Sequence, residues 1–325
     1  MGDERAVLVE EPVRQRSERP ATEAGGRPAE GHPAEERARP AEGHRSDGRP
    51  AEGGVLFLDD AADVRRAAED LDAGCAVVHG FAGLYALTAR ADPEVVARVR
   101  RMTGDPGGPY GPAGGVTTVP SALTGLFDWT RLPAELPRRQ VWSLMEELYE
   151  LGPIGLLGPA ADRLPAHVTC ERDGVTAVQA VSPGRHCPSN DFLSAALDRT
   201  GAEFLFTTSA NRAGELPHWR ADAVARDLGH EPGVRVLAHA DDDAARRRYP
   251  HHAPVAVSVV SFHRGAGYGR AGLPALTLER QGSLSAEHLR SVAANHGFAL
   301  HLAPGATGTR PAPRPYVPSS PPPRP

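Results

Sequence analysis

The sequence predicts an α/β fold, a single open and twisted mixed sheet with flanking helices, set between two disordered arms. Three observations predict it. Between residues 54 and 302, short runs rich in Val, Leu and Ala alternate with segments whose apolar residues recur at helical spacing. The 32 Pro concentrate toward the two ends. The third observation is the run Phe204-Leu-Phe-Thr-Thr-Ser-Ala-Asn-Arg-Ala-Gly214, which reads as a buried strand delivering hydroxyls and an amide to its exposed C-terminal end. In open α/β sheets that end is where ligands bind, so Thr208, Ser209 and Asn211 are candidate contacts. The same run is also an ordinary strand-to-turn exit, because Ser and Asn bond their own backbone and Gly takes φ > 0.

Taken in order, residues 1–53 carry an imperfect repeat: Arg27-Pro-Ala-Glu-Gly-His32, Arg39-Pro-Ala-Glu-Gly-His44 and Arg49-Pro-Ala-Glu-Gly53. With Pro in every unit and few large apolar side chains, this arm cannot bury enough surface to offset its ordering entropy. Residues 55–58 form a short apolar strand, and Asp59 or Asp60 caps a helix with Ala61, Val64, Ala68 and Leu71 on one face. Residues 75–79 read as a buried strand, 80–83 as a loop and 84–88 as another strand. Asp92-Pro93 opens a helix bearing Val95, Val96 and Val99, which Gly104 and the Pro-Gly-rich residues after it stop.

Residues 116–119 form a strand, and 136–151, with Val141, Leu144, Met145 and Leu148, form the clearest amphipathic helix. Strands follow at 154–157 and 175–181, and Asp191 opens a helix bearing Phe192, Leu193, Ala196 and Leu197. After the Phe204 run come a helix at 221–228, strands at 234–238, 255–262 and 275–278, and a helix at 285–296. The pair between 255 and 279 is joined by a Gly-rich turn and reads as antiparallel, which makes the sheet mixed. Residues 303–325 are Pro-rich and extended without a fold.

The formal charge of -5 offers no global attraction to polyanions, and all 36 basic residues are Arg. Nucleic acid would therefore need a local basic patch. Cys75, Cys170 and Cys187 are odd in number and unpaired in spacing, which argues against a disulfide framework and for a reducing compartment. Residues 1–12 hold charges without a sustained apolar stretch, and no run is long enough to span a bilayer. A cytoplasmic protein with no membrane partner is expected.

Several chemistries are excluded by pattern. There is no Gly-x-Ser-x-Gly elbow, and a chain without Lys cannot supply a phosphate-binding Gly-x-x-x-x-Gly-Lys loop. The 14 His are scattered, Arg185-His186-Cys187 lacks a paired second cluster, and His251-His252 reads as solvated, so no protein-held metal is expected. What remains is a polar cluster suited to an anionic, multiply hydrogen-bonded ligand, with Arg185 or Arg280 able to clamp phosphate or carboxylate.

The order of these pieces resembles the YrdC family, which includes threonylcarbamoyl-adenylate synthases, over residues 71–297. Leu71-Asp-Ala-Gly-Cys-Ala-Val-Val78 is similar to its opening helix end and strand, and Gly83-Leu-Tyr-Ala-Leu87 to its Tyr-Gly-Leu segment. Gly152-Pro-Ile-Gly-Leu-Leu157 resembles its Gly-Pro strand, and Arg185-His-Cys-Pro-Ser-Asn190 its Arg-x-Pro turn, with Arg185 or His186 equivalent. Thr208-Ser-Ala-Asn-Arg-Ala-Gly214 resembles its Ser-x-Asn motif, Ser258 its Ser-Thr strand, and Leu278-Glu-Arg-Gln-Gly282 its closing Arg-x-Gly.

The resemblance implies a YrdC-like fold with a concave ATP-binding face, and a reaction in which threonine and bicarbonate become an acyl-adenylate with release of pyrophosphate. It implies ATP with Mg²⁺ as cofactor, with nucleotide contacts from Thr208, Ser209, Asn211, Arg185, His186, Ser258 and Arg280, and substrate contact from Tyr85. The sequence departs from the family at two places. The Pro-Thr-x-Thr loop falls on Gly80-Phe81-Ala82-Gly83, without either hydroxyl, and Lys-x-Arg falls on Thr103-Gly104-Asp105. An acid beside a triphosphate repels it. Two functions follow from the resemblance. One is a divergent ATP-dependent nucleotidyl or carbamoyl transferase acting on an amino acid or bicarbonate. The alternative is a catalytically lapsed module binding nucleotide or double-stranded, structured RNA. The oligomeric state is not legible.

Overall fold

A computed structural model of the chain describes residues 54–104, 114–269 and 271–306. The arm expected at 1–53, the tail beyond Ala306 and Asp105 lie outside the described residues.

The chain enters through β1 (Leu56–Phe57) and α1 (Ala61–Asp72), whose N-terminus is capped by Asp60 accepting from the amides of Ala62 and Asp63. β2 (Ala76–Phe81) and β3 (Leu84–Ala89) follow as an antiparallel hairpin. The loop expected at 80–83 is thus reduced to Ala82 and Gly83, since β2 runs on through Phe81. Ala82 sits at φ 56, in the left-handed region that side chains disfavour. Its N–H donates to Cys187 Sγ at 3.1 Å and its carbonyl meets His239 Nε2 at 2.9 Å, contacts that hold the turn in place.

α2 (Pro93–Thr103) ends at Gly104, φ 70, as its Pro start and Gly stop predict. Then come β4 (Gly115–Thr117), α3 (Arg138–Leu151), β5 (Ile154–Pro159), β6 (Cys170–Arg172) and β7 (Val175–Ser182). β6 was not expected from the sequence. It pairs with β7 through Asp173-Gly174, both at positive φ, the turn geometry that Asp-Gly favours in a tight hairpin. α4 (Ser189–Thr200) starts earlier than Asp191, which lies in its first turn, where an acid complements the helix dipole.

β8 (Leu205–Ser209), α5 (Ala221–Asp227) and β9 (Val234–Ala238) fall where expected. The short α6 (Asp242–Arg247) was not anticipated; Asp241 caps it by accepting from Ala244 N. The strand expected at 255–262 shrinks to β10 (Val259–Ser261). Ser258 Oγ accepts from the amides of Gly282 and Leu284 and donates to Leu284 O, and a bulge falls between Val259 and Val260, so the preceding residues do not join the ladder. β11 (Ala275–Arg280) is antiparallel to β10 as predicted, and α7 (Ala286–Asn295) leads to β12 (Ala299–Leu302), an edge strand that sequence pattern alone did not separate.

Together these form one mixed sheet of 12 strands in the order β1-β9-β2-β3-β8-β4-β7-β5-β10-β11-β12, with β6 on β7. Helices cover both faces. Val77 and Val78 are consecutive in β2 and enter different cores: Val77 packs with residues of α1 and α4, Val78 with those of α2, α3, α5 and α7. Gly83 and Leu84 line the same small pocket as Pro153, although β8, β4 and β7 separate β3 from β5, so the sheet curls enough to bring the starts of β3 and β5 together. Among the described residues no helix is long and apolar enough to cross a membrane.

Candidate functional site

The curl gathers the end of β8, the β2–β3 turn, α6 and the segment before β10. At the end of β8, Ser209 pairs with Ala86 and Thr208 with Leu87. Their neighbours fix the direction of each side chain. Thr207 Oγ1 bonds Thr88 Oγ1 at 3.1 Å, which bonds His79 Nε2 at 2.8 Å, and the His79 ring packs on Phe192 of α4. By the two-residue period of a strand, Ser209 shares that face while Thr208 turns to the opposite one with Leu87. The sequence motif thus divides: Thr208 and Ser209 are both half-buried but do not face one ligand across the strand.

Asn211 lies beyond the strand and is 8% exposed. Its Nδ2 donates to the carbonyls of Arg212 and Glu215, each at 2.9 Å, which fixes the amide, while the buried Oδ1 has no partner among the described residues. Such an acceptor costs about 1–3 kcal/mol unless a donor meets it. The next residue, Arg212, is fully engaged: it donates to Met102 O at 2.6 Å, to Asp227 Oδ1 at 3.2 Å and to Glu231 Oε1 at 2.6 Å. Ala213 N–H donates to Thr103 O at 2.7 Å, so Thr103 does neighbour the motif. The Thr103 hydroxyl is turned back onto the carbonyls of Val99 and Arg100 inside α2. Arg100 Nη2 donates to His167 O, and its guanidinium covers the Phe206 ring.

Tyr85 is 1% exposed, and its hydroxyl donates to Asp242 Oδ1 at 2.7 Å while accepting from His239 N at 3.1 Å. Burial, reinforced by the Asp242 bond, pushes the phenol above its usual range. The hydroxyl expected to touch substrate is therefore engaged within the protein. Phe81 and Gly83 flank the turn pinned by Cys187 and His239. A Cβ on Gly80 would collide with the His239 ring, so this loop is packed by the protein's own side chains.

None of the remaining expected contacts hydrogen-bonds Ser209 among the described residues. Arg185 is ion-paired with Glu146 and Glu150 of α3, and His186 Nε2 meets Glu150 Oε2 at 2.9 Å on an exposed surface. Ser258 is fully buried with its hydroxyl saturated by backbone. Arg280 ends β11, exposed, with Nε donating to Val257 O at 2.8 Å and no carboxylate pairing with it among the described residues.

The sequence did not single out the α6 side of this region. Arg246, Arg247, Tyr249 and His252 line a cavity of 300 Å³ with Asp243 and Pro250. Arg220 and Arg246 both pack on the Trp219 ring, with Cζ atoms 5.3 and 4.8 Å from its centroid. His252, expected to be solvated, is half-buried: Nδ1 meets Ser283 Oγ and Nε2 meets Leu151 O, each at 2.9 Å, and burial lowers its pKa to about 4. No consecutive pattern marks these residues, since α6, the Trp219 segment and the β10 approach meet only in the fold.

No protein-family model matches the chain, and no curated protein matches it. Solved structures do. P. abyssi Sua5 complexed with L-threonine aligns at a TM-score of 0.57 with 18% identity, over 78% of this chain and 63% of that one. A doubly alanine-substituted form of P. abyssi Sua5 aligns at 0.57 with 17% identity over 79% and 63%. A hypothetical protein, smu.1377c of Streptococcus mutans UA159, aligns at 0.54 with 12% identity over 77% of this chain and 98% of its own. The chain thus spans 63% of the length of the Sua5 structures it matches. The curled mixed sheet, flanked by helices on both faces, is the YrdC-like fold that the order of sequence motifs resembled.

Proposed function

We propose that this chain is a YrdC-fold binding module whose ligand is a nucleotide or an amino acid, held at the exit of β8 by Ser209 and Asn211. The observation that carries this reading is the buried, unpartnered Oδ1 of Asn211, oriented by two bonds from its own Nδ2. An acceptor in that state calls for an N–H or O–H donor, which an adenine amine, a ribose hydroxyl or an ammonium group supplies. Phosphoryl transfer makes a different demand: cations that hold polyphosphate and take up developing charge. Of the positions expected to provide them, Arg185 is paired with two acids, and Thr103 is neutral with its hydroxyl turned inward. Structured RNA is left out of the proposal, because Arg185, Arg212 and Arg220 at this end are each matched by carboxylates.

One observation favours the divergent nucleotidyl or carbamoyl transferase as a second reading. Arg280 has no carboxylate partner among the described residues, so it is able to clamp a phosphate that arrives with Mg²⁺. Calorimetric titration of the full chain with ATP, AMP and L-threonine, with and without Mg²⁺, separates the two. Saturable binding weakened at least tenfold by Asn211→Ala, without pyrophosphate release in the presence of bicarbonate and amino acids, supports the module. Pyrophosphate release lost in Arg280→Gln supports the transferase, and no binding of any of the three ligands overturns both.

A further inference from the structure

Immediately after the β8 exit the chain brings together three metal-ligating side chains that sequence spacing conceals. Glu215 and His218 are separated by Leu216-Pro217, and Asp227 follows at the end of α5. One ligand atom from each lies within 4.8 Å of the others. His218 Nε2 is 3.0 Å from Asp227 Oδ2. Tetrahedral ligands about 2.0–2.1 Å from a Zn²⁺ ion stand roughly 3.3 Å apart, so this pair needs little movement, and the exposed Glu215 is free to close the remainder.

The three are also held from behind, as ligands of a built site are. Tyr85 N–H donates to the His218 carbonyl at 3.0 Å, which ties the imidazole's backbone to β3. Arg212 Nε donates to Asp227 Oδ1 at 3.2 Å, leaving Oδ2 turned to His218. Asn211 Nδ2 donates to the Glu215 carbonyl and so fixes the backbone that carries the Glu215 side chain.

Charge points the same way. Glu215, Asp227 and Glu231 bring three negative charges, and Arg212, bonded to two of them, brings one positive charge. Three less one leaves two, which a dication cancels. A plain ion pair of His218 with Asp227 does not account for the convergence of Glu215. One imidazole with two carboxylates is a donor set for a first-row transition dication.

We propose that Glu215, His218 and Asp227 bind a divalent transition metal of the Zn²⁺ class, through Glu215 carboxylate, His218 Nε2 and Asp227 Oδ2. The proton that Nε2 donates to Asp227 passes to Nδ1 or leaves to solvent when the metal takes that nitrogen's lone pair. A chain that binds Zn²⁺ here and no ATP keeps this inference and loses the reading above.

The test is titration of chelator-dialysed full chain with Zn²⁺ by calorimetry and with Co²⁺ by visible absorption. Expected are one tight equivalent and ligand-field bands of a low-coordinate N/O site. Glu215→Gln, at an exposed side chain, should weaken binding tenfold or more with an unchanged unfolding midpoint. His218→Gln should remove the tight phase, and His251→Gln, at an exposed side chain, should leave it intact. Absence of a one-to-one phase in the wild type, or equal affinity in Glu215→Gln, His218→Gln and wild type, overturns the proposal.

Discussion

The exit of β8 and the β2–β3 turn both correspond to motifs of the resembled family, yet their polar groups are satisfied in opposite ways. At the turn the donors and acceptors are met from within: Ala82 N by Cys187, Ala82 O by His239, and the Tyr85 hydroxyl by Asp242 and His239 N. At the strand exit Asn211 Oδ1 is buried without a partner among the described residues. Self-satisfied polar groups stabilise the fold, whereas an unmet buried acceptor costs stability unless a ligand supplies the donor. On the proposed reading the turn serves stability and the exit serves binding, so substitutions at each should move different measurements.

The largest effect is expected at the turn. Gly80→Ala places a methyl against the buried ring of His239, and overpacking of this kind costs about 1–3 kcal/mol, sometimes more. Tyr85→Phe leaves Asp242 Oδ1 and His239 N without their shared partner, a loss of about 1–3 kcal/mol. Urea denaturation should show both losses, while the folded fraction keeps wild-type ligand affinity. If Tyr85→Phe is as stable as wild type but binds ligand more weakly, the assignment of the two regions is reversed.

Acid should act through the same buried framework. Burial lowers the pKa of His79 to about 3 and of His252 to about 4, from an ordinary value of 6.5. Folding therefore holds both rings neutral while the unfolded chain takes up protons below pH 6.5. Their stabilisation is complete above that pH and is lost as the pH falls toward 4, His252 alone accounting for up to about 3 kcal/mol. Urea midpoints measured from pH 7 to pH 4.5 should fall steadily, and His252→Asn should flatten the slope. A slope unchanged by that substitution would remove His252 from the account.

Much of this architecture is legible in the sequence, because periodicity and caps act locally. Asp60, Asp92-Pro93 and Ser285 mark helix starts, and the apolar face of Val141, Leu144, Met145 and Leu148 marks α3. What escaped is non-local. Ser258 reads as a strand residue with a hydroxyl to offer, but its partners, Gly282 and Leu284, lie 24 and 26 positions away. Arg185 reads as a phosphate clamp, and the acids that engage it sit on α3, 39 positions earlier for Glu146. The strand's two-residue period, readable in principle, already separates Thr208 from Ser209. The convergence of Glu215, His218 and Asp227 has no periodic signature because a turn and α5 carry the chain between them.

Two serines turn the comparison into a smaller contrast. Ser258 Oγ serves two amides and one carbonyl in a fully buried site, so Ser258→Ala should cost about 1–3 kcal/mol and leave ligand affinity unchanged. Ser209 is half-buried at the strand end, and its hydroxyl has no hydrogen-bond partner among the described residues. Ser209→Ala should therefore stay within about 0.5 kcal/mol of wild type in stability. Its effect belongs to binding: one lost hydrogen bond of about 1 kcal/mol weakens affinity roughly fivefold. Paired urea and calorimetric titrations of the two variants read both quantities on the same samples. A Ser209→Ala chain that binds every tested ligand as wild type does would confine the site to Asn211 and whatever Arg280 or the α6 cavity brings to it.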